Sequence, residues 1–336
     1  MVTISLAGSD INWDCAPGDT IMRSAARAGL GFPYECNVGS CGNCRFDLIE
    51  GEVEHVRQDP PGLSERDAQR GRRLGCQATP RGDCTVKVRL MPRYEPVVRP
   101  SRQNATLLEV LDVTHDIREF RFRLESPLAF LAGQYALITF PSIRAVRAFS
   151  MCNTGEAGRE WHFQIKRIPS GQVTGHLFDA IQPGAAVEID GPYGMAYLRE
   201  DSPRNIVCIA GGSGLSPMVS IARAKAMSSS LADRELDFFY GGRAVRDLAG
   251  NTHLQDLPGF GDTIRYHAAV STTDDPSDGW DGYRGFVHLL AAERMGAKLA
   301  DCEIYFAGPP AMGEAVQRML LEQGVPGEQI HFDQFY

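Results

Sequence analysis

Residues 36–44 read Cys36-Asn37-Val38-Gly39-Ser40-Cys41-Gly42-Asn43-Cys44, and a fourth cysteine follows in Leu74-Gly75-Cys76-Gln77. Three cysteines spaced Cys-x4-Cys-x2-Cys with one distant partner suit a two-iron, two-sulfide cluster, which takes four thiolates, two on each iron. Gly39 and Gly42 fit that use. A loop wrapped around a cluster needs unusual backbone angles, and positions without side chains let N–H groups approach sulfur. Structural zinc is the rival, but it favours paired Cys-x2–4-Cys clips and only Cys41/Cys44 forms one. Cys36, Cys41, Cys44 and Cys76 are therefore the expected metal ligands. Cys15, Cys84, Cys152, Cys208 and Cys302 show no ligand spacing and are expected as buried apolar thiols.

The chain around this loop has 336 residues, 43% hydrophobic and 23% charged, an ordinary balance for a folded protein. No run of about 18 apolar residues suggests a membrane span, and Met1–Asp10 lacks the basic start and apolar run of a secretory leader. The expectation is a cytoplasmic monomer with no membrane association, where cysteines serve as ligands rather than disulfides. Net charge is −8. Residues 1–92 carry 11 basic and 12 acidic side chains, 93–200 carry 12 and 12, and 201–336 carry 11 and 18. A chain without a basic surface is a poor nucleic-acid partner.

No period of 20–50 residues repeats, which excludes a solenoid. Met91–Arg102 holds three prolines and no helical periodicity, and is expected as a stiff, extended spacer. A second break falls near Arg199–Arg204. Three parts result: 1–92, 103–200 and 203–336. The first shows short strand patterns (Val2–Leu6, Ile11–Asp14, Phe46–Ile49, Thr85–Leu90) and a helix over Thr20–Ala28 that Asp19 or Thr20 can cap. The second is mostly strands (Thr106–Val113, Glu119–Leu124, Tyr135–Phe140, Trp161–Ile168, Ala186–Ile189), which predicts an antiparallel barrel or sandwich. The third alternates strands (Ile206–Ala210, Leu236–Tyr240, Ile264–Val270, Glu303–Phe306) with helices such as Ser216–Ala226 and Ala311–Glu322. That alternation predicts a parallel sheet covered by helices.

Two further constellations carry chemistry. In the second part, Arg147-Ala148-Phe149-Ser150 ends a strand, Ile165-Lys166 ends another, and Gly171-Gln172-Val173-Thr174 opens a helix; Gly191-Pro192-Tyr193-Gly194 follows. An arginine at a strand end and a helix N-terminus both suit a diphosphate, and an aromatic beside them can pack on a flat ring. In the third part a strand runs into Gly211-Gly212-Ser213-Gly214-Leu215-Ser216-Pro217, a turn that lets backbone approach a dinucleotide diphosphate. Phe239-Tyr240-Gly241-Gly242-Arg243 and Tyr305-Phe306-Ala307-Gly308-Pro309-Pro310-Ala311-Met312 end two more strands.

Taken together, the chain resembles the reductase components of bacterial multicomponent oxygenases, including those of carbazole dioxygenase and of toluene or phenol monooxygenases. The first part resembles a plant-type [2Fe-2S] ferredoxin of the β-grasp fold. The second resembles the FAD-binding barrel of the ferredoxin–NADP⁺ reductase superfamily, and the third its nicotinamide-binding domain. By that resemblance Arg147 meets the FAD diphosphate, and Phe149 takes a position where relatives have tyrosine, without its hydroxyl. Ser150 lies near flavin N5, and Gly171, Val173 and Thr174 wrap the diphosphate, with Ala148, Ile165 and Lys166 beside them. Gly212, Gly214, Pro217, Gly241, Arg243, Gly308, Pro309 and Met312 then line the nicotinamide site, where Ala307 replaces a cysteine common in relatives. Phe335, with Tyr336 as rival, covers the flavin face, so Ser150 and Phe335 are the expected catalytic positions.

The resemblance implies an oxidoreductase that takes a hydride from NADH onto FAD. It then releases single electrons through the [2Fe-2S] cluster to a protein acceptor, either a ferredoxin or a terminal oxygenase component. Arg243 and Arg246 follow the second strand, but so does Asp247, and relatives with a similar Tyr-Gly-x-Arg use NADH, so the resemblance favours NADH over NADPH. Two alternatives stay open: a stand-alone flavoenzyme reducing small acceptors, and a non-enzymatic redox-sensing module.

Overall fold

The computed structural model describes residues 1–156, 158–272 and 279–334, with the side chain of Gln334 excepted. The chain forms two compact units. The first comprises Met1–Arg102 with Asp190–Tyr193; the second comprises Gln103–Ile189 and the described residues of 194–334.

In the first unit β1 (Val2–Leu6), β2 (Asn12–Cys15), β3 (Arg45–Glu50), β5 (Arg72–Leu74) and β7 (Cys84–Lys87) form a sheet in the order β2-β1-β7-β3-β5. A small ribbon pairs β4 (Val53–His55) with β6 (Ala78–Pro80). β1 and β7 are parallel and the other pairs antiparallel, which is the β-grasp arrangement. Helix α1 (Ile21–Arg27) buries Ile21, Met22, Ala25 and Ala26, and the Thr20 side chain caps it by accepting from the Arg23 N–H. A short helix, α2 (Glu65–Gln69), is capped by Ser64. The segment expected as a stiff, extended spacer packs on this unit. The Met91 N–H donates to the Gly31 carbonyl, and the Tyr94 ring lies 6.2 Å from that of Tyr34. Asp190–Tyr193 is held here by an ion network. Arg27 donates to both oxygens of Asp190 (2.9 and 2.8 Å) and to Asp19 (2.9 Å), while Arg102 reaches Asp19 at 3.2 Å.

The second unit contains an antiparallel barrel and a parallel sheet. The barrel strands are β8 (Ser101–Asp112), β9 (Ile117–Leu124), β10 (Tyr135–Phe140), β11 (Ala145–Ser150), β12 (Glu160–Lys166) and β13 (Ala186–Tyr193), in the order β11-β10-β13-β8-β9-β12. A bridge between Met151 and Phe163 draws the two edges together. Alternate residues fill the interior, among them Phe120, Phe122, Ile138, Trp161, Phe163 and Ile165. Helix α3 (Gln172–Asp179) lies between β12 and β13.

The parallel sheet comprises β14 (Asn205–Gly211), β15 (Leu236–Gly242), β16 (Ile264–Val270), β17 (Tyr283–Arg284), β18 (Cys302–Gly308) and β19 (Ile330–Gln334), ordered β17-β16-β15-β14-β18-β19. Its helices are α4 (Leu215–Met227), α5 (Asn251–Leu254), α6 (Val287–Met295) and α7 (Pro310–Glu322). The two-residue period divides each strand between two cores. Ile206, Cys208 and Ala210 face the α4 side, and Val207 and Ile209 face the α6–α7 side. Among the described residues no helix is long and apolar enough to cross a membrane.

Candidate functional site

The cysteine loop is shaped by residues with left-handed backbone: Asn37 (φ 54°), Gly39 (φ 84°) and Gly42 (φ 78°). A Cβ on Gly42 would stand 2.7 Å from the Gly62 carbonyl oxygen, so only glycine lets the two loops touch. The loop's amides point at sulfur. Cys41 N–H donates to Cys36 Sγ (3.3 Å), Asn43 N–H to Cys41 Sγ (3.5 Å) and Cys76 N–H to Cys44 Sγ (3.5 Å), and Gln77 Nε2 lies 3.7 Å from Cys76 Sγ. Arg23 of α1 ties the halves together, donating to the Asn37 side chain and carbonyl and to the Cys76 carbonyl.

The sulfurs associate in two pairs. Contact with the Cys41 thiol, aided by backbone amides, holds Cys36 down to about 5, while Cys41 is pushed far up. Cys76 is lowered by Cys44, with Arg23 adding to the effect, and Cys44 is raised in turn. A tetrahedral zinc at 2.3 Å would bring all four sulfurs within about 3.8 Å of one another. No three of them lie within 4.8 Å. Two separated pairs fit two bridged irons rather than one ion. The other five cysteines are free and buried, and burial raises all of them, Cys15 and Cys302 to about 11. They are neutral thiols, poor as ligands or nucleophiles.

At the end of β11, Arg147 is exposed, and its guanidinium donates to the Val146 carbonyl, with no carboxylate partner among the described residues. Ala148 and Phe149 are half-buried, and Phe149 packs against the barrel core. Ser150 is 4% exposed, and its Oγ has no hydrogen-bond partner. An orphaned buried hydroxyl is costly unless something satisfies it, and here it marks a place for a polar ligand atom. Across the seam Gly171 precedes α3, whose first turn has no side-chain cap and so leaves amides for an anion. Thr174 Oγ1 is engaged in accepting the Ile168 N–H (3.1 Å), which closes the loop before the helix. Ile165 and Val173 point into the barrel core. These residues together fit an FAD: a cation, free helix amides, a half-buried aromatic and an unsatisfied hydroxyl.

At the carboxyl ends of the parallel strands lies a cavity of about 620 Å³. It gathers Gly212, Gly241, Arg243, Gly308, Pro309 and Met312, and also Lys166, which the sequence reading placed with the flavin. The Lys166 ammonium is 2.7 Å from Asp116. Burial raises the Asp116 carboxyl, but the lysine's hydrogen bond and charge outweigh it and hold the pKa low. Gly214 and Pro217 are buried outside the lining; a Cβ on Gly214 would be 1.9 Å from the Ala307 oxygen, so this glycine lets the loop pack on β18. Asp247 accepts from the Arg243 and Ala244 amides and so fixes the loop after β15. Sequence reasoning missed Phe286, 60% exposed, whose ring stacks on His288 (5.8 Å, 18°) at the cavity. An aromatic after a lone glycine carried no signal. Phe335 and Tyr336 lie outside the described residues.

Three family models match the chain: a 2Fe-2S iron-sulfur cluster binding domain over residues 4–81, an oxidoreductase FAD-binding domain over 104–197 and an oxidoreductase NAD-binding domain over 208–318. The ferredoxin–NAD(P)⁺ reductase CarAd of Metapseudomonas resinovorans is 39% identical over 324 residues, covering 96% of each chain. The ferredoxin–NAD⁺ reductase component of the alkene monooxygenase system of Xanthobacter autotrophicus is 34% identical over 328 residues, covering 96% of this chain and 98% of its own. Among solved structures, the ferredoxin reductase in carbazole 1,9a-dioxygenase superposes with a TM-score of 0.91 at 35% identity, covering 100% of this chain and 98% of its own.

Proposed function

From the premise that the chain belongs to the ferredoxin–NAD(P)⁺ reductases with 2Fe-2S, FAD- and NAD-binding domains, we propose that it is the NADH-dependent reductase component of an aromatic-ring oxygenase system. The observation that carries this reading is the closeness of two candidate sites. Ser216, two residues after Gly214 in the glycine turn, donates to the Ser150 carbonyl at 2.7 Å. A dinucleotide held by that loop and a flavin held at Ser150 would therefore be neighbours.

Held there, FAD would supply the exchange between two-electron hydride acceptance and single-electron release, and a cluster at the four cysteines would supply one-electron carriage. Arg147 and the first turn of α3 bind the diphosphate of FAD. Phe149 supports the ring, and Ser150 offers its hydroxyl to the ring's reactive edge. Gly212, Gly241 and Gly308 let backbone approach the second dinucleotide, and Arg243 and Lys166 supply positive charge. Phe335 is proposed as the aromatic that shields the flavin. Asp247, which fixes the Arg243 loop with its carboxylate, disfavours an added 2′-phosphate and supports NADH. Cys36, Cys41, Cys44 and Cys76 hold the cluster. The functional segments are proposed as 1–92, 103–200 and 203–336. Nine free thiols suit a cytoplasmic setting, and a monomer is proposed.

The test is an absorption spectrum of the purified protein with iron and flavin quantitation, followed by anaerobic titration with NADH and NADPH. One FAD and two irons per chain are expected, with both chromophores bleached by NADH before NADPH. A colourless zinc protein would refute the reading. Turnover with an oxygenase component, beyond that with small dyes, tests the partner.

A further inference from the structure

The flavin barrel does not close by backbone pairing alone. Along the seam between β11 and β12, Met151 bridges Phe163 and the Cys152 N–H donates to the His162 carbonyl at 2.7 Å. On the other side of that pair the Gln164 N–H faces the Ser150 carbonyl. The Ser216 hydroxyl joins both groups, accepting from the Gln164 N–H at 3.1 Å and donating to the Ser150 carbonyl at 2.7 Å. Gln164 is 2% exposed and Ser150 4%, so neither backbone group has ready access to water.

Ser216 does not act alone. Ser220 and Arg223 lie on the same face of α4 and donate to the carbonyls of Asn153 and Cys152, at 2.7 and 2.9 Å. The helix thus caps the strand edge that the opened barrel leaves unpaired. Ser216 is the member nearest the glycine loop, and it binds the residue whose own hydroxyl is buried and unsatisfied.

We propose that Ser216 is a positioning residue for hydride transfer: by splicing its hydroxyl into the barrel seam, it locks the dinucleotide loop in register with Ser150. This rests on the reading that NADH binds at the glycine loop and FAD at Ser150. Transfer between two held rings is steeply sensitive to placement, and a displacement of about 1 Å can cost about a hundredfold in rate. A donor–acceptor hydroxyl fixes two strands and a helix at once. Alanine would take a hydrogen-bond partner from a buried N–H and from a buried carbonyl, and the seam would shift to compensate.

The experiment compares S216A, S216T and S216C with wild type as FAD-loaded, full-length proteins. In S216A, flavin reduction at saturating NADH is expected to slow roughly 10–100-fold. The KM for NADH should stay within about twofold, and the primary isotope effect with NADH deuterated at nicotinamide C4 should change. S216T keeps the hydroxyl and should return most of the rate. Hydrogen exchange at the Gln164 amide, measured without NADH, should quicken by about an order of magnitude in S216A and much less in S216T. A wild-type rate and isotope effect in S216A, or unchanged Gln164 exchange, would overturn the proposal. A role in stability alone would lower the melting temperature and leave rate and isotope effect untouched. Should S216A lose FAD, S216C, a poor donor of similar volume, decides the matter: a wild-type rate there overturns the proposal. Failure of wild-type flavin to be reduced by NADH would instead defeat the functional reading, while the exchange measurement still reports on the bridge.

Discussion

Gly214→Ala tests whether the glycine loop is placed by packing rather than by ligand contact. Gly214 has ordinary right-handed backbone angles (φ −60°, ψ −11°), so alanine brings no conformational strain. The obstacle is distance. The added Cβ would meet the Ala307 oxygen at 1.9 Å and its carbonyl carbon at 2.3 Å. Both are backbone atoms of β18, which is buried and paired on both edges, to β14 and β19. Neither can swing aside as a side chain would. Ordinary contact begins near 3.4 Å, so the loop must retreat by about 1.5 Å.

Overpacking of this kind costs about 1–3 kcal/mol, which lowers the melting temperature without unfolding the domain. The larger effect is on chemistry. A retreat of that size moves Gly212 relative to Gly308 and Pro309 on the opposite wall of the cavity, and the expected loss in NADH-driven flavin reduction is about a hundredfold. FAD and iron contents stay as in wild type, because neither site touches the loop through Gly214. Gly313→Ala is the control. It lies within α7, its Cβ meets Phe306 at an ordinary 3.8 Å, and alanine there stabilises the helix by about 0.5–1 kcal/mol. Stopped-flow reduction by NADH, with thermal melts of all three proteins, measures both effects. A Gly214→Ala protein with wild-type KM and reduction rate would refute the argument that this backbone approach sets the cavity.

Cys44→Ser removes one member of the Cys44/Cys76 pair; iron and its visible absorption should be lost while FAD remains, so NADH still reduces small dyes but delivery to a protein acceptor falls to background. Lys166→Ala removes the cavity's ammonium; the KM for NADH should rise roughly tenfold, equivalent to one charge-assisted hydrogen bond, with FAD content unchanged, whereas loss of FAD would return Lys166 to the flavin site. Asp237 is raised by burial but pulled down further by hydrogen bonds from His267 and Arg265, to about 2 from an ordinary 3.8. A depressed carboxylate stabilises the fold above its unfolded pKa and stops doing so as pH falls through the folded value, so about 2 kcal/mol should vanish between roughly pH 4 and pH 2. Denaturant melts of wild type and Asp237→Asn check this: the variant should be weaker at pH 7 and flatter across that interval.

What the sequence disclosed was local. The cysteine loop, the strand–glycine–helix turn after Ala210 and the alternating third part are short-range patterns, and each reappears in the fold. What it hid depends on residues far apart in the chain. Arg27 and Asp190 are separated by 163 positions, yet the arginine forks onto that carboxylate and draws Asp190–Tyr193 into the first unit. The prolines of 91–102 indicated stiffness correctly but not what the segment lies on. Lys166 follows Ile165 in the flavin-like motif, but strand alternation sends Ile165 into the core and leaves Lys166 to the other cavity.

Helix α4 shows why some functional residues leave no mark in the sequence. A helix covering a sheet normally advertises itself by one apolar and one polar face. In α4, nine of thirteen residues are buried, among them Ser216, Ser220 and Lys225. One face meets the parallel sheet through Met218, Ile221 and Ala222. The face bearing Ser216, Ser220 and Arg223 meets a strand edge whose carbonyls need donors. A strand edge cannot be covered by hydrocarbon without stranding its polar groups, so the covering helix must carry hydroxyls and a guanidinium at positions that otherwise read as solvent-facing. The ambiguity follows from the barrel's opening. A closed seam would need no serines in α4, and a pattern-based reading would then have found an ordinary amphipathic helix. Through Ser216, Ser220 and Arg223 the nicotinamide-binding segment supplies part of the hydrogen bonding along the barrel's edge, within one compact unit.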